Sequence, residues 1–285
     1  MTDPQRMTVM EIPFLKAQAV GNDFLVAEWE SLTHAGLQEQ DLPELAKRSC
    51  HRQFGVGADG VEVVFPARSG EEDYSLRIFN SDGSEAEISG NGTRCAAAFL
   101  MRDSQPGAAL RIGTKAGVKT VRLLNRDGVR FDFEMGMGVP SWNPAEIGCE
   151  LEAGGWPREV AIVDVGNPQC ALFVEHFDWD WRTLGAEIER HPRFPKRTNV
   201  SFVRRVDEKT IDVRFWERGA GETLSSGTGS TGAAVASVLS GRAKSPVVIQ
   251  TPAGEMTVRW QTPQSEVSLE GPAELIAWGA LYFPR

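Results

Sequence analysis

Short apolar runs and alternating apolar–polar runs occupy most of the chain, a pattern that predicts β-strands with a few helices between them. Two strands should flank a turn at Gly21-Asn22-Asp23 within residues 14–29. Further strands are predicted at 61–65, 74–80, 120–124, 129–136, 160–166, 170–175, 199–206 and 211–219. The pair within 120–136 should form a hairpin around Arg126-Asp127-Gly128. Short helices are predicted at 42–50 and 181–190.

Two segments interrupt this strand pattern in the same way. Residues 89–92 read Ser-Gly-Asn-Gly and residues 226–229 read Ser-Gly-Thr-Gly, and each leads into an apolar, alanine-rich helix. A strand and an acidic loop precede each segment. A unit that recurs halfway along the chain predicts two similar α/β domains. Because both helices are apolar almost all round, each is expected to be a central helix wrapped by its own sheet.

The charge of the chain narrows the range of partners. The net charge is −9, and lysine and arginine are scattered rather than clustered. Nucleic acids and anionic membranes need a concentrated basic surface, so neither is expected as a partner. A small substrate is compatible with an acidic chain, since one arginine can bind a carboxylate. Charge and proline interrupt residues 1–18, so no secretory segment is expected there. No apolar run is long enough to cross a membrane, and a cytoplasmic location is therefore expected.

The four cysteines are expected to be buried, reduced thiols. They form no Cys-x-x-Cys pair and lack metal-ligand spacing with the four histidines. Their positions are Cys50, Cys95, Cys149 and Cys170. Neither a disulfide nor a metal site is therefore expected.

The two repeated helix starts suggest a specific chemistry. Exposed N–H groups and the positive end of the helix dipole make a helix start a site for anions. Taken alone, each serine is also a common N-cap that binds only a backbone amide. A facing pair of helix starts could stabilise a carboxylate that gains enolate character, and could place acid–base groups on both faces of an α-carbon. Those are the requirements for inverting an amino acid.

Six ordered motifs resemble the diaminopimelate epimerase family over nearly the whole chain. They are GNDF at 21–24, HRQFGVGADG at 51–60, RIFNSDGSEAEISGNGTRC at 77–95, VGNPQ at 165–169, RTNV at 197–200 and ERGAGETLSSGTG at 217–229. The resemblance implies an isomerase that uses no cofactor and interconverts LL- and meso-diaminopimelate, a precursor of lysine and the cell wall. It also implies a small amino-acid substrate as the partner, and it suggests a homodimer.

The same resemblance implies the architecture and the substrate contacts. The chain should form two pseudo-symmetric domains, each a β-sheet rolled around a central helix. The first should comprise residues 1–132 and be completed by a strand at 273–285, and the second should comprise residues 133–272.

Among the implied substrate contacts, Arg218 suits a distal carboxylate and Glu217 suits an ammonium group, with a surface ion pair between the two residues as the alternative. Asn22 and Asn80 also suit turns. The implied substrate-binding residues are Asn22, Gln53, Asn80, Gly90, Asn91, Asn167, Asn199, Glu217, Arg218, Gly227 and Thr228.

Three residues at the expected reacting centre depart from the family pattern. Ser89 and Ser226 stand where the family has cysteine, and Gln169 stands where it usually has histidine. A helix start brings a thiol towards ionisation, whereas an alcohol begins several pKa units higher and normally needs a neighbouring base. Gln169 cannot titrate. The nearest ionisable candidates are Glu217, Glu87 and Glu222.

Two of the cysteines are poor replacements for the missing thiols. Cys95 lies about 240° round the first repeated helix from Ser89, and should therefore face the domain core. Cys170 follows Gln169 in a predicted strand, so alternation should point the two side chains to opposite faces.

Three functions fit these observations, and we rank the first ahead of the others. In the first, Ser89, Ser226 and Glu217 are the catalytic residues of a diaminopimelate epimerase. In the second, Glu217 moves the proton directly in another isomerase or in a dehydratase that acts on a related carboxylate. In the third, the chain binds diaminopimelate and has lost the chemistry. The retained substrate-binding motifs favour the first.

Overall fold

A computed structural model describes residues 9–284, which form two compact units. Unit 1 contains the described residues up to Phe131 together with those from Ala273 onward, and unit 2 contains Asp132–Pro272. The expectation that residues 1–18 hold no secretory segment falls partly outside the described residues, as does the last residue of the strand expected at 273–285.

Unit 1 is a sheet with one helix on its inner face and two short helices on its outer face. Its elements are β1 (Val9–Ala19), β2 (Asn22–Glu28), α1 (Trp29–His34), α2 (Leu42–Cys50), β3 (Gly60–Pro66), β4 (Tyr74–Asn80), β5 (Glu85–Ala86), α3 (Gly90–Leu100), β6 (Ala109–Thr114) and β7 (Gly117–Asp127). A 3-10 turn at Glu39–Asp41 precedes α2. Strand β8 (Arg130–Gly138) begins in unit 1 and continues into unit 2.

Unit 2 repeats this order of elements. They are β9 (Ile147–Ala153), β10 (Trp156–Asp164), β11 (Pro168–Phe173), α4 (Trp181–Glu189), β12 (Asn199–Arg205), β13 (Thr210–Glu217), β14 (Gly221–Thr223), α5 (Gly227–Leu239), β15 (Val247–Thr251) and β16 (Gly254–Arg259). A 3-10 turn at Pro144–Glu146 precedes β9. The long strand β17 (Val267–Pro284) pairs first with β16 in unit 2 and then with β1 in unit 1.

The strand pairings of the two units match one by one. In unit 1, β1–β2 is antiparallel, β2–β3 parallel, β3–β4 and β4–β5 antiparallel, β4–β6 parallel and β6–β7 antiparallel. In unit 2, the same sequence of pairings runs from β10 to β16. The predicted fold class is thereby confirmed, because the repeated sequence segment belongs to a repeated topology.

The central helix of each unit has no solvent-facing side. Every residue from Gly90 to Phe99 of α3 is buried, and so is every residue from Gly227 to Ser237 of α5. Helix α3 packs against β1, β2, β3 and β4, and α5 packs against β10 to β13, β15 and β16. A helix enclosed in this way needs no polar stripe, which explains the apolar, small-residue composition of both segments.

The outer helices fix which side chains of each sheet face inward. Val61, Val63 and Phe65 of β3 join the core formed with α1 and α2. Strand alternation therefore turns Glu62 towards α3. In unit 2, Cys170 of β11 joins the core formed with α4, which turns Gln169 towards α5, as the sequence predicted.

Three details differ from the sequence-based expectations. The turn between β1 and β2 consists of Val20 and Gly21, both with positive φ (49° and 80°), so Asn22 and Asp23 already belong to β2. The expected turn at Gly21-Asn22-Asp23 was wrong because a β-branched valine occupies a left-handed position that it rarely adopts. The expected helix near 181–190 ends at Glu189, and the second of the two strands expected within 14–29 ends at Glu28, just before α1 begins at Trp29.

The described residues contain free cysteines and neither a metal-binding cluster nor a helix that could span a membrane. The four cysteines are free, and three of them are buried. Within 9–284, no group of histidine, cysteine, aspartate and glutamate side chains is arranged to hold a metal ion. None of the helices in that range has the length and apolar character needed to span a bilayer.

Candidate active site

Both helix-start serines are N-caps. The Ser89 hydroxyl accepts a hydrogen bond from the Gly92 amide at 3.0 Å, and the Ser226 hydroxyl accepts one from the Gly229 amide at 3.1 Å. Both serines have extended backbone angles, which is the usual conformation of an N-cap. The structural role considered from the sequence is therefore present at both positions, and any chemistry must be compatible with it.

A carboxylate distinguishes the serine of unit 2. The Ser226 hydroxyl donates to Glu217 Oε2 at 2.8 Å, and the Thr223 hydroxyl donates to Glu217 Oε1 at 2.7 Å. Glu217 ends β13, and the β13–β14 hairpin pairs it with Gly221, which carries the chain back towards Thr223. Burial raises the pKa of the Glu217 carboxyl, and the two hydroxyl hydrogen bonds partly oppose that rise. A serine hydroxyl directed at a carboxylate is the arrangement that activates an alcohol.

Three amide side chains of unit 2 lie on the strands that pack against α5 or at the ends of those strands. Gln169 Nε2 donates to Asn167 Oδ1 at 2.7 Å, and Asn167 Nδ2 reaches Thr228 Oγ1 at 3.4 Å. Asn199 Oδ1 accepts from the Arg218 backbone amide at 2.9 Å. The structure thus brings together every predicted site residue of unit 2 at the amino end of α5 or at the adjoining strand ends.

Gln169 fills the inner face of the sheet tightly. A Cβ atom added to Gly232 of α5 would lie 2.6 Å from Gln169 Cγ, so the glycine is what allows the side chain to fit. The Gln169 amide nitrogen orients Asn167, while its buried Oε1 has no hydrogen-bond partner among the described residues. Its visible function is therefore to orient a neighbour rather than to transfer a proton.

Arg218 lies at the edge of this group. Its side chain is exposed, and Nη1 donates to the Lys196 carbonyl at 3.2 Å. No ion pair joins Arg218 to Glu217 within residues 9–284, since both Glu217 oxygens accept hydroxyl hydrogen bonds. The surface ion pair considered as an alternative is absent there. The exposed guanidinium leaves its outer N–H groups towards solvent.

The predicted site residues of unit 1 are less closely connected. Asn22 Nδ2 donates to Asp59 Oδ2 at 2.7 Å, and Asn80 Nδ2 donates to Ser84 Oγ at 2.9 Å within the turn after β4. The buried Asn91 accepts a hydrogen bond from Arg94 at 2.8 Å. Gln53 is exposed, and its backbone amide donates to His51. Asn80 thus makes a local contact of the kind that turns use, whereas Asn22 contacts a residue far along the chain.

Of the ionisable groups considered from the sequence, only Glu217 contacts a serine. Glu222 is bound by the Arg182 guanidinium at the surface, and Glu87 is exposed. Burial raises the pKa of the Cys170 thiol to about 12 and that of the Cys95 thiol well above its ordinary value. Both cysteines are therefore neutral, inward-facing thiols, and neither replaces a catalytic thiol.

One buried carboxyl near the first helix start was not among the candidates predicted from the sequence. Glu62 in the middle of β3 is fully buried, and neither of its oxygens has a hydrogen-bond partner among the described residues. A single acidic residue inside the apolar run at 61–65 was the available signal. It was overlooked because the odd and even positions of a strand covered on both faces are almost equally apolar.

The same architecture occurs in solved structures of other proteins. A hydroxyproline epimerase from Agrobacterium vitis, with bound trans-4-hydroxy-L-proline, aligns with a TM-score of 0.71 over 96% of this chain and 92% of its own, at 16% sequence identity. A methylitaconate-delta-isomerase aligns with a TM-score of 0.69 over 97% and 96%, at 14% identity. At these identities the likeness shows the fold, which is one used by epimerases and isomerases.

Comparison of this sequence with a family model and with related sequences identifies one family. The sequence model of the family described as diaminopimelate epimerase matches residues 14–142 and 161–276. A diaminopimelate epimerase from Pelotomaculum thermopropionicum is 39% identical over 279 residues, covering 93% of this chain and 97% of the relative. One from Rippkaea orientalis is 38% identical over 283 residues, covering 95% and 99%. The chain belongs to the diaminopimelate epimerase family, which confirms the resemblance found in the sequence, and it is an isomerase.

Proposed function

We propose that this isomerase interconverts LL- and meso-diaminopimelate by removing the proton of an α-carbon and returning one to the opposite face, without a cofactor. Family membership supports the reaction. The contact between Ser226 and Glu217 supports the means, because it provides a serine with the base that its high intrinsic pKa demands.

The proton transfer at Ser226 proceeds in one balanced step. Ser226 Oγ takes the α-proton while its own hydroxyl proton moves to Glu217 Oε2, so the C–H bond breaks and a carboxyl O–H bond forms. The electron pair left on carbon is delocalised into the substrate carboxylate. Backbone amides in the first turn of α5, at Gly227 and Thr228, suit that developing charge. The raised pKa of Glu217 makes its carboxylate a stronger base than an exposed one.

We assign the substrate-binding roles as the family resemblance implies them. In unit 2 the proposed contacts are Asn167, Asn199, Arg218, Gly227 and Thr228. In unit 1 they are Asn22, Gln53, Asn80, Gly90 and Asn91, with Ser89 as the second acid–base group. Glu217 is better suited to proton transfer than to holding a substrate ammonium group, because hydroxyl groups occupy both of its oxygens.

The two other candidate functions differ in what Glu217 does. In a dehydratase or isomerase in which Glu217 acts directly on substrate, the Ser226 and Thr223 hydroxyls would compete with the substrate for both carboxylate oxygens. A binding protein without activity would keep the amide network and would not need a base on Ser226. The observed contact favours the epimerase over both.

Proton exchange measures the proposed reaction directly. LL-diaminopimelate is incubated with the protein in deuterated water, and we expect deuterium at an α-carbon together with formation of the meso isomer. Ser226→Ala should abolish both signals. Glu222→Gln is the matched control, because this nearby carboxylate binds Arg182 and makes no contact with Ser226. Exchange no faster than in buffer, with the ligand bound in calorimetry, would show a binding protein instead.

We propose in addition that the chain forms a homodimer in the cytoplasm. Two large aromatic side chains, Trp278 and Tyr282, are more than half exposed along β17. They are four residues apart in a stretch of regular register, which places them on one face of the strand. A second copy of the chain would cover such a face. Sedimentation analysis should give a dimer mass for the native chain and a monomer mass for Trp278→Lys.

A further inference from the structure

Glu62 occupies the centre of unit 1 without any visible structural reason to be acidic. Its neighbours in register are Val26 of β2 and Ile78 of β4. It faces α3, and its side chain has no exposed surface. An isolated carboxyl among apolar residues is costly to bury, and a leucine or valine would be the ordinary occupant.

The hydrogen bonding of Glu62 distinguishes it from Glu189, another buried glutamate. Glu189 accepts hydrogen bonds from Trp216, Arg197 and the Gly219 amide. The oxygens of Glu62 accept none from the described residues. A fully paired carboxylate such as Glu189 stabilises the fold, whereas an unpaired one keeps its proton available.

None of the described ionisable groups near Glu62 forms a hydrogen bond with its carboxyl. On α3, Arg94 donates to Asn91 and to the Gly90 carbonyl. Cys95 on the same helix is a buried neutral thiol. Asp23 on β2 is bound by Lys16. No described cation therefore holds Glu62 in its ionised form.

Glu62 lies directly beneath the start of α3. A Cβ atom added to Gly92 would be 2.1 Å from Glu62 Oε1 and 3.2 Å from Ser89 Cβ. The carboxyl and the serine thus approach the same point from two sides, and only a glycine leaves room for the carboxyl. At the matching register position in unit 2, Ser201 contacts the Gly229 carbonyl at 3.5 Å, so the buried acid is specific to unit 1.

We infer that Glu62 is a positioning residue that acts through Ser89, supplying a proton to the serine hydroxyl when Ser89 has given its own proton to the substrate carbon. This inference rests on the proposed function. The Ser89 O–H bond breaks as the new C–H bond forms, and the Glu62 O–H bond breaks as the Ser89 O–H bond is restored. Glu62 is left as a carboxylate, the proton taken from the substrate resides on Ser226, and Glu217 holds the proton that Ser226 released. The reverse turnover, or exchange with water, restores both groups.

The burial of Glu62 suits this role. Burial raises the pKa of the Glu62 carboxyl well above its usual range, so that the group carries a proton where an exposed glutamate would not. Each helix-start serine then has a carboxyl on its side of the helix start, hydrogen-bonded in unit 2 and close by without a hydrogen bond in unit 1. Glu217 contacts Ser226 from the end of β13, and Glu62 approaches Ser89 from the middle of β3.

The variant Glu62→Gln tests the inference, because glutamine keeps the shape and the uncharged state but has no proton to give. We expect kcat for diaminopimelate to fall about 100-fold, the scale of one acid–base group, with KM nearly unchanged. In the native protein kcat should decline as the pH rises through the pKa of Glu62, and that decline should be absent from the variant. Glu71→Gln, an exposed carboxyl of the same unit, is the matched control and should retain kcat.

The outcomes separate the inference from the proposed function. An inactive native protein would refute the proposed reaction itself. An active native protein with an unaltered kcat and pH profile in Glu62→Gln would overturn only the role of Glu62. Failure of Glu62→Gln to fold would overturn it as well, since the position then requires more than an uncharged group of this shape. Partial recovery of kcat in Glu62→Asp, which restores an acid, would support the inference further.

Discussion

The Ser226 hydroxyl donates a hydrogen bond to the carboxylate of Glu217 at 2.8 Å while capping the helix that begins at Gly227. One side chain thus has two tasks. Its oxygen accepts from the Gly229 amide, which holds the hydroxyl in place, and its proton points to a base. In a family whose usual acid–base groups are thiols, this contact gives an alcohol a physical route to the same chemistry.

The serine and the glutamate should behave as one functional unit. Ser226→Ala and Glu217→Gln are each expected to lower kcat by about 10²–10⁴-fold, because either change interrupts the same proton transfer. The double variant should be little worse than the more damaged single variant. Steady-state kinetics of the four proteins checks this. If the fold-loss of kcat in the double variant equals the product of the losses in the two single variants, the residues act independently.

The pH dependence of the native protein should report Glu217. Its carboxyl must be ionised to accept the serine proton, so activity should rise as the pH increases through its pKa. Burial raises that pKa, and the Thr223 hydroxyl bond lowers it. Thr223→Val removes the opposing hydrogen bond and should therefore move the acid limb to higher pH. A pH–rate profile of native and variant protein measures the displacement, and an acid limb that stays in place would contradict the assignment.

The stability of Glu62→Gln should depend on pH with a defined sign. Above the ordinary glutamate pKa the unfolded chain releases a proton that the folded chain retains, because burial raises the folded-state pKa. The native protein therefore loses stability as the pH rises between those two values, and glutamine does not titrate. The variant should gain thermal stability over the native protein as the pH increases and lose that advantage in acid. Thermal unfolding across a pH series detects this. A constant difference would mean that Glu62 ionises normally.

Gly92 should tolerate no side chain. The Cβ atom of Gly92→Ala would meet Glu62 Oε1 at 2.1 Å, so we expect destabilisation by about 1–3 kcal/mol from overpacking. Gly70→Ala is the matched control, since an added Cβ has nothing within 4 Å. Urea unfolding of both variants makes the comparison. Equal stabilities would place the Glu62 carboxyl elsewhere.

Much of the architecture could be predicted from the sequence because the segment that begins each central helix occurs twice. The paired segments at 89–92 and 226–229 located both central helices, and helix α2 begins and ends where residues 42–50 predicted. The β1–β2 turn was misplaced because Val20 adopts φ 49°, which local preference argues against. Helix α1 was missed because six residues are too few to show a helical period.

The chemistry of the site could be predicted from the sequence only in part. Glu217 was a candidate from its motif, but its contact with Ser226 depends on the pairing of Glu217 with Gly221, which sequence cannot specify. Thr223 was not considered, and its contact depends on the same hairpin. Glu62 required knowledge of which face of β3 the outer helices cover. The register of a short hairpin decides the first two and the packing of the outer helices on β3 decides the third, and intrinsic propensity predicts neither.

Exchange of the α-proton in deuterated water offers the decisive comparison between Glu217→Gln and Glu217→Gln combined with Ser226→Cys. A thiol at a helix start ionises without help from a carboxylate, whereas a serine there does not. If Glu217 serves as the base for Ser226, the glutamine variant should exchange no faster than buffer and the added cysteine should restore exchange into diaminopimelate. Rapid exchange in Glu217→Gln alone, or none in the combined variant when it binds the amino acid, would contradict the Ser226–Glu217 mechanism.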